Sequence, residues 1–126
     1  MKKPIPSELE IQLNADVLKA LEGKSCHSDI IEPLQTCLST LKDVNSYCPD
    51  GENYSYVVWY VNKIIFAYAS GMRQVGVRLS QSGELSLQEA ENPKNYKIQN
   101  NWYEIPYDSD KLGFLVNSAY DSAKNS

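Results

Sequence analysis

Between Tyr54 and Leu79 the hydrophobic period is two, and this stretch constrains the fold more than any other. Tyr54 to Val61 and Ile64 to Ala69 are runs rich in β-branched and aromatic residues, separated by Asn62-Lys63, which reads as a tight hairpin turn. Ser70-Gly71 makes a second turn, after which Val75, Val77 and Leu79 alternate with Gln74, Gly76 and Arg78. A two-residue turn at Asn62-Lys63 pairs Val61 with Ile64, Trp59 with Phe66 and Val57 with Tyr68. A turn at Ser70-Gly71 pairs Phe66 with Val75 and Ile64 with Val77. Taken independently, the two turns put Val57, Trp59, Val61, Ile64, Phe66, Val75, Val77 and Leu79 on one side. A slip of one residue would scatter that set over both faces, so the agreement identifies the core face.

Helical periods flank this block. Ser7-Glu8-Leu9-Glu10 has capping-box spacing, and Leu9, Leu13, Val17, Ala20 and Leu21 form a stripe that Gly23 ends. Leu9, Ile11 and Leu13 also read as a short strand, with Asn14 capping a shorter helix. Ser28 is a good N-cap for a second helix, with Pro33 tolerable in its first turn and a stripe of Ile30, Ile31, Leu34, Cys37, Leu38, Leu41 and Val44. Residues 45–53 form a turn-rich loop. Residues 84–99 are ambiguous, because Pro93 forbids a long helix through their middle. Trp102 to Tyr107 reads as a further strand. Asp108 or Ser109 then caps a last helix whose face is Leu112, Leu115, Val116, Ala119 and Ala123. The expected fold is one α+β domain over residues 1–126, in helix-helix-strands-helix order. An antiparallel sheet of about four or five strands carries helices on one face and leaves a tyrosine-rich face open.

Acidic residues outnumber basic ones by 16 to 12, a net charge of −4, and only Arg73 and Arg78 are arginines. A nucleic-acid footprint needs a basic surplus, so this balance argues against such a partner. No apolar run follows Met1-Lys2-Lys3, which argues against a signal peptide. The most apolar stretch, Tyr56 to Ala69, is broken by Asn62-Lys63 and is too short to span a bilayer as a helix. Three cysteines without a secretory leader suit a reducing cytoplasm.

Chemistry-bearing motifs are sparse. Cys26, Cys37, Cys48 and the single histidine, His27, supply the ligand count of a Cys₃His zinc site. They lack the C-x₂₋₄-C knuckle, and two of them flank a helix that would hold them apart, so neither a metal nor a cofactor is expected. Cys26-His27 makes a poor nucleophile and base, since neighbours in a chain rarely aim side chains at each other. Gly71 and Gly76 have the separation of a phosphate loop, but Val77-Arg78 replaces its Lys-Ser/Thr.

What stands out is the sheet face opposite the core. By the same register it carries Tyr54, Tyr56, Val58, Tyr60, Ile65, Ala67, Ala69, Gln74, Gly76 and Arg78. Its small centre and its rim of Tyr56, Tyr60, Gln74 and Arg78 suit an interface, because tyrosine and arginine are enriched in hot spots. The leading expectation is a non-enzymatic module binding another protein or a second copy of itself. A specific version is an immunity- or antitoxin-like protein whose acidity suits a basic partner. The alternative is a small-ligand-binding or enzymatic domain using Trp102, Glu104 and Arg78. Nucleic-acid binding, with the tyrosines as stacking platforms, is a further alternative.

The order of helices, then Lys63 to Ala67, then Arg78-Leu79-Ser80, then Trp102-Tyr103 and Ser118 to Ala123 resembles the MmcQ/YjbR-like family over residues 54–124. There a "gKiFA" hairpin leads to an "rlslK" strand, and a Trp-containing strand precedes a C-terminal helix. This chain lacks the strand-end lysine and has Pro93 in the connection before Trp102. The resemblance implies an α+β fold and, as suggested for the family, contact with DNA. It carries over no catalytic residue.

Overall fold

The computed structural model describes residues 4–25, 28–50, 55–71, 74–79, 97–99, 102–106 and 111–125. A single 3₁₀ turn, Ser7–Leu9, precedes helix α1 (Gln12–Leu21), followed by α2 (Ser28–Leu38). Strands β1 (Asn45–Tyr47), β2 (Val57–Val61), β3 (Ile64–Ser70), β4 (Gln74–Arg78), β5 (Lys97–Gln99) and β6 (Trp102–Pro106) come next, and α3 (Leu112–Lys124) ends the chain. The strands form one antiparallel sheet in the order β1-β2-β3-β4-β6-β5. The class is therefore α+β, with four longer strands bordered at each edge by a three-residue one.

The hairpin turn forms as the sequence requires. Asn62 and Lys63 both adopt positive φ (53° and 68°), the geometry whose twist matches the flanking strands. The register beyond the turn differs from simple alternation. Val61 faces Ile64 and Tyr60 faces Ile65, but Trp59 faces Ala67, so Phe66 is the extra residue of a β-bulge. The connection to β4 differs too, because Ser70 pairs with Gln74 and Val75 faces Ala69 rather than Phe66. Each departure shifts the strands by an odd number of residues, so their effects on side-chain direction cancel. All eight predicted core residues therefore lie in one buried cluster, joined by Ala67, Ala69, Tyr103 and Ile105. Ala67 and Ala69, expected on the opposite face, point into this core, and Tyr68 points out of it.

Helices α2 and α3 cover this face. Leu34 and Leu38 of α2 and Leu112, Leu115, Val116, Ala119, Tyr120 and Ala123 of α3 complete the cluster. Phe66 meets the Tyr120 ring edge-on, with centroids 5.8 Å apart, and the Tyr120 hydroxyl donates to the Lys42 carbonyl at 2.7 Å. Helix α2 ends at Leu38, earlier than its stripe suggested, and Leu41 and Val44 reach the core from the following loop. It also begins at Ser28 itself, which leaves Pro33 beyond the first turn. Residue Lys111 precedes α3 without a side-chain cap, and the expected caps Asp108 and Ser109 lie outside the described residues.

The opposite face is not open. Helix α1 and the 3₁₀ turn lie across it, and Leu9, Val17 and Leu21 form a second core with Tyr47, Tyr56, Val58, Tyr60, Ile65, Tyr68 and Trp102. The expectation of helices on one side only is corrected by this packing. Ser7 does not open an α-helix, since α1 starts at Gln12. Asn14, instead of capping, is fully buried within the first turn of α1. Its amide nitrogen donates to the carbonyls of Leu9 (3.1 Å) and Lys63 (2.9 Å), and its Oδ1 accepts the Ile65 N–H (3.0 Å).

Replacing Asn14 by Ala strands two carbonyls and one N–H where α1 meets the hairpin. The expected cost is at least about 3 kcal/mol, given about 1–3 kcal/mol for each of the three groups left unpaired. Urea unfolding of Asn14→Ala beside an exposed control such as Lys19→Ala measures it. A loss within about 0.5 kcal/mol of the control contradicts this role.

Candidate functional site

The C-terminal end of α1 helps to form a concavity against the sheet. After Leu21 the chain turns through Gly23, whose φ of +78° ends the helix, and the Lys24 N–H donates to the Leu21 carbonyl at 2.8 Å. Lys24 and Ser25 are then stitched to the sheet. The Lys24 carbonyl accepts the Tyr56 N–H at 3.2 Å, and the Ser25 carbonyl accepts the Gly71 N–H at 2.7 Å. Helix end and sheet thus enclose a half-open cavity of about 500 Å³, lined by Ala20, Leu21, Gly23, Lys24, Ser25, Tyr68, Ser70, Gly71 and Glu104.

Its floor is set by sheet register. Tyr68 on β3, Gly76 on β4 and Glu104 on β6 are successive cross-strand neighbours. The Tyr68 ring lies over Gly76 so closely that a Cβ there would collide with it. A bare glycine therefore lets the phenol lie across β4 towards Glu104. Burial holds the Tyr68 hydroxyl well above a phenol's usual pKa, and the Glu104 charge adds to the effect. Burial likewise raises the Glu104 carboxyl, opposed by Lys24. Among the described residues, neither the Tyr68 hydroxyl nor the Glu104 carboxylate has a hydrogen-bond or ion-pair partner. Neither is sealed from solvent, so both are accessible from the cavity.

The residues expected to form the site separate into three groups. Tyr56 and Tyr60 are buried beneath α1 and the 3₁₀ turn, at 5% and 6% exposure, and are not a free aromatic surface. The Tyr60 hydroxyl donates to Glu8 Oε1 at 2.8 Å; burial and that bond push its pKa up to about 12. Tyr56 packs edge-on against Tyr47 at 6.4 Å and rises to about 12, through burial first and neighbouring charges second.

Arg78 and Trp102 form a packed pair. The guanidinium lies 4.9 Å from the indole ring, its Nε donates to the Ile65 carbonyl at 3.0 Å, and burial lowers its pKa to about 10. Trp102 in turn lies against Tyr68, with ring centroids 5.3 Å apart. This row occupies the region proposed as a docking hot spot, and Gly76, expected under a ligand, lies under Tyr68 instead. Gln74 sits in β4 opposite Ser70 and Pro106.

Glu104 alone of the expected set lines the cavity. Tyr68, Lys24, Ser25 and Ser70 were missed. Simple alternation puts Tyr68 in the core, and only the bulge at Phe66 turns it outward; no pattern in the sequence docks the end of α1 on the sheet.

A smaller cavity of about 200 Å³ lies on the other face beside β1, lined by Leu38, Leu41, Val44, Trp59 and polar but uncharged neighbours. Cys37 and Cys48 are half-buried thiols, the first raised in pKa by burial, the second 3.2 Å from the Ser55 hydroxyl. Cys26 and His27 lie outside the described residues. Among the described residues no three His, Cys, Asp or Glu side chains converge as a metal site, and no helix is long and apolar enough to cross a membrane. No protein-family model matches the chain, and neither does any curated protein or solved structure.

Two outcomes follow from this geometry. Gly76→Ala is expected to displace the Tyr68 ring and destabilise the fold by about 1–3 kcal/mol, the range for overpacking. A shift of the Tyr68 ring resonances in NMR checks it, and an unmoved ring contradicts it. The second concerns pH. A carboxyl whose folded pKa is raised favours folding while protonated, and that benefit is lost as pH rises through the folded value. Glu104→Gln should therefore be more stable than the parent at neutral pH, with the gap closing towards pH 4. Melting temperatures across that range test it, and a variant less stable at pH 7 reverses the sign.

Proposed function

We propose that this protein is a small-molecule-binding domain whose site is the cavity between the end of α1 and the sheet. One observation carries the reading. Glu104 and Tyr68 present a carboxylate and a hydroxyl without a partner among the described residues to a concavity of about 500 Å³. Ligand pockets fall at about 300–1,000 Å³ and combine apolar walls with a few convergent polar groups and perturbed acids. Ala20 and Leu21 supply the apolar wall, and Ser25 and Ser70 add hydroxyl-bearing side chains. Leaving a half-buried carboxylate without a partner costs stability, and a ligand that pairs with it recovers the loss.

Binding to another protein is the second reading, supported by the net charge of −4, which suits a basic partner. The tyrosine face no longer supports it, because Tyr56 and Tyr60 are covered by the chain's own N-terminal segment.

An NMR screen with a fragment library of neutral, cationic and anionic members tests the small-molecule reading. Shifts should cluster at Ser25, Tyr68, Gly71 and Glu104, and Ala20→Trp, which fills the cavity rim, should abolish them. Shifts confined to the surroundings of Trp59 and β1, or none at all, refute it.

A further inference from the structure

The two walls of the cavity carry opposite charges. Lys24 stands exposed on the segment that follows α1, and Glu104 stands half-buried on β6. They are near enough for the lysine to oppose the rise in the carboxyl's pKa. Even so, neither makes an ion pair with the other or with any other described residue. Here Lys24 is anchored by its backbone bonds to Leu21 and Tyr56, and Glu104 by its place opposite Gly76, with the cavity between them.

We propose that the cavity binds a zwitterion of the α-amino-acid class. This rests on the small-molecule reading above and narrows it to one ligand chemistry. The ligand's ammonium group pairs with the Glu104 carboxylate and donates to the Tyr68 hydroxyl oxygen. Its carboxylate meets the Lys24 ammonium group, with the Ser25 and Ser70 hydroxyls beside it. The side chain lies against Ala20 and Leu21. The charges balance: a simple cation leaves Lys24 opposed, and a simple anion leaves Glu104 opposed, while a zwitterion satisfies both. Charge-assisted hydrogen bonds of this kind are about twice as strong as neutral ones and fix the ligand's direction.

The test is calorimetric titration of the full chain with each proteinogenic L-amino acid, then with the N-acetyl and amide derivatives of the best binder. At least one free amino acid should bind. N-acetylation, which removes the ammonium charge, should weaken binding at least about tenfold, the factor equivalent to about 1.4 kcal/mol. Amidation should weaken it as well. Glu104→Gln should reproduce the loss seen on acetylation. Lys24→Met should weaken the free amino acid but leave the amide unchanged. Equal binding of the free and N-acetyl forms, or an unaffected Glu104→Gln, overturns the proposal. If no amino acid binds while neutral or singly charged fragments shift the cavity residues, the ligand class is wrong and the small-molecule reading survives. If nothing binds there, both fall.

Discussion

The buried amide of Asn14 joins the start of α1 to the hairpin turn and to the N-terminal 3₁₀ turn, beside the Tyr60–Glu8 bond and the backbone bonds of Lys24 and Ser25 to the sheet. It donates to the Lys63 carbonyl in the hairpin turn and to the Leu9 carbonyl in the N-terminal turn, and it accepts the first N–H beyond the hairpin but one, that of Ile65. Apolar contacts are non-directional and would permit α1 to slide or rotate on the sheet. Three directional bonds at one buried residue fix both its axial position and its rotation. From that placement follow the burial of Tyr56 and Tyr60, the delivery of Gly23 to the end of β3, and the cavity over Tyr68 and Glu104.

A second constraint lies in the strands. The bulge at Phe66 uses one residue to change the facing of the rest of β3. Phe66 and Ala67 both serve the α2–α3 side, and Tyr68 is released to the other. Without the bulge the large phenol would enter the helix-covered core and alanine would lie beneath α1. With it, alanines pass under the helices, where close packing favours small side chains, and the phenol crosses the single glycine that can accommodate it.

The class, the hairpin, the core face and the last helix were legible because each rests on local periodicity. Asn62-Lys63 separates two β-rich runs, and the Leu112 to Ala123 stripe repeats at helical spacing. The exact register was not legible, since a bulge and a longer connection cancel in side-chain parity and leave no trace in the pattern. The cover over the tyrosine face was also hidden. Leu9, Val17 and Leu21 announce an amphipathic helix without saying which sheet face receives it, and Asn14 resembles an ordinary capping residue until its distant partners at Lys63 and Ile65 are known. Glu104 belongs to the expected set, yet the residues that line the cavity with it come from α1, the segment after it and β3 with its turn, an arrangement only the tertiary structure creates.

The short outer strands also shape how the molecule behaves in company. Strand β1 offers only Asn45–Tyr47 at one border of the sheet, and β5 only Lys97–Gln99 at the other. The long, apolar strands β2 and β3, which in isolation would readily recruit foreign strands, are enclosed between neighbours. Three residues of backbone at a border give an incoming chain little to zip along. The apolar segments β2 and β3 are thus paired on both sides within the sheet and leave no open strand edge of their own to a neighbouring molecule.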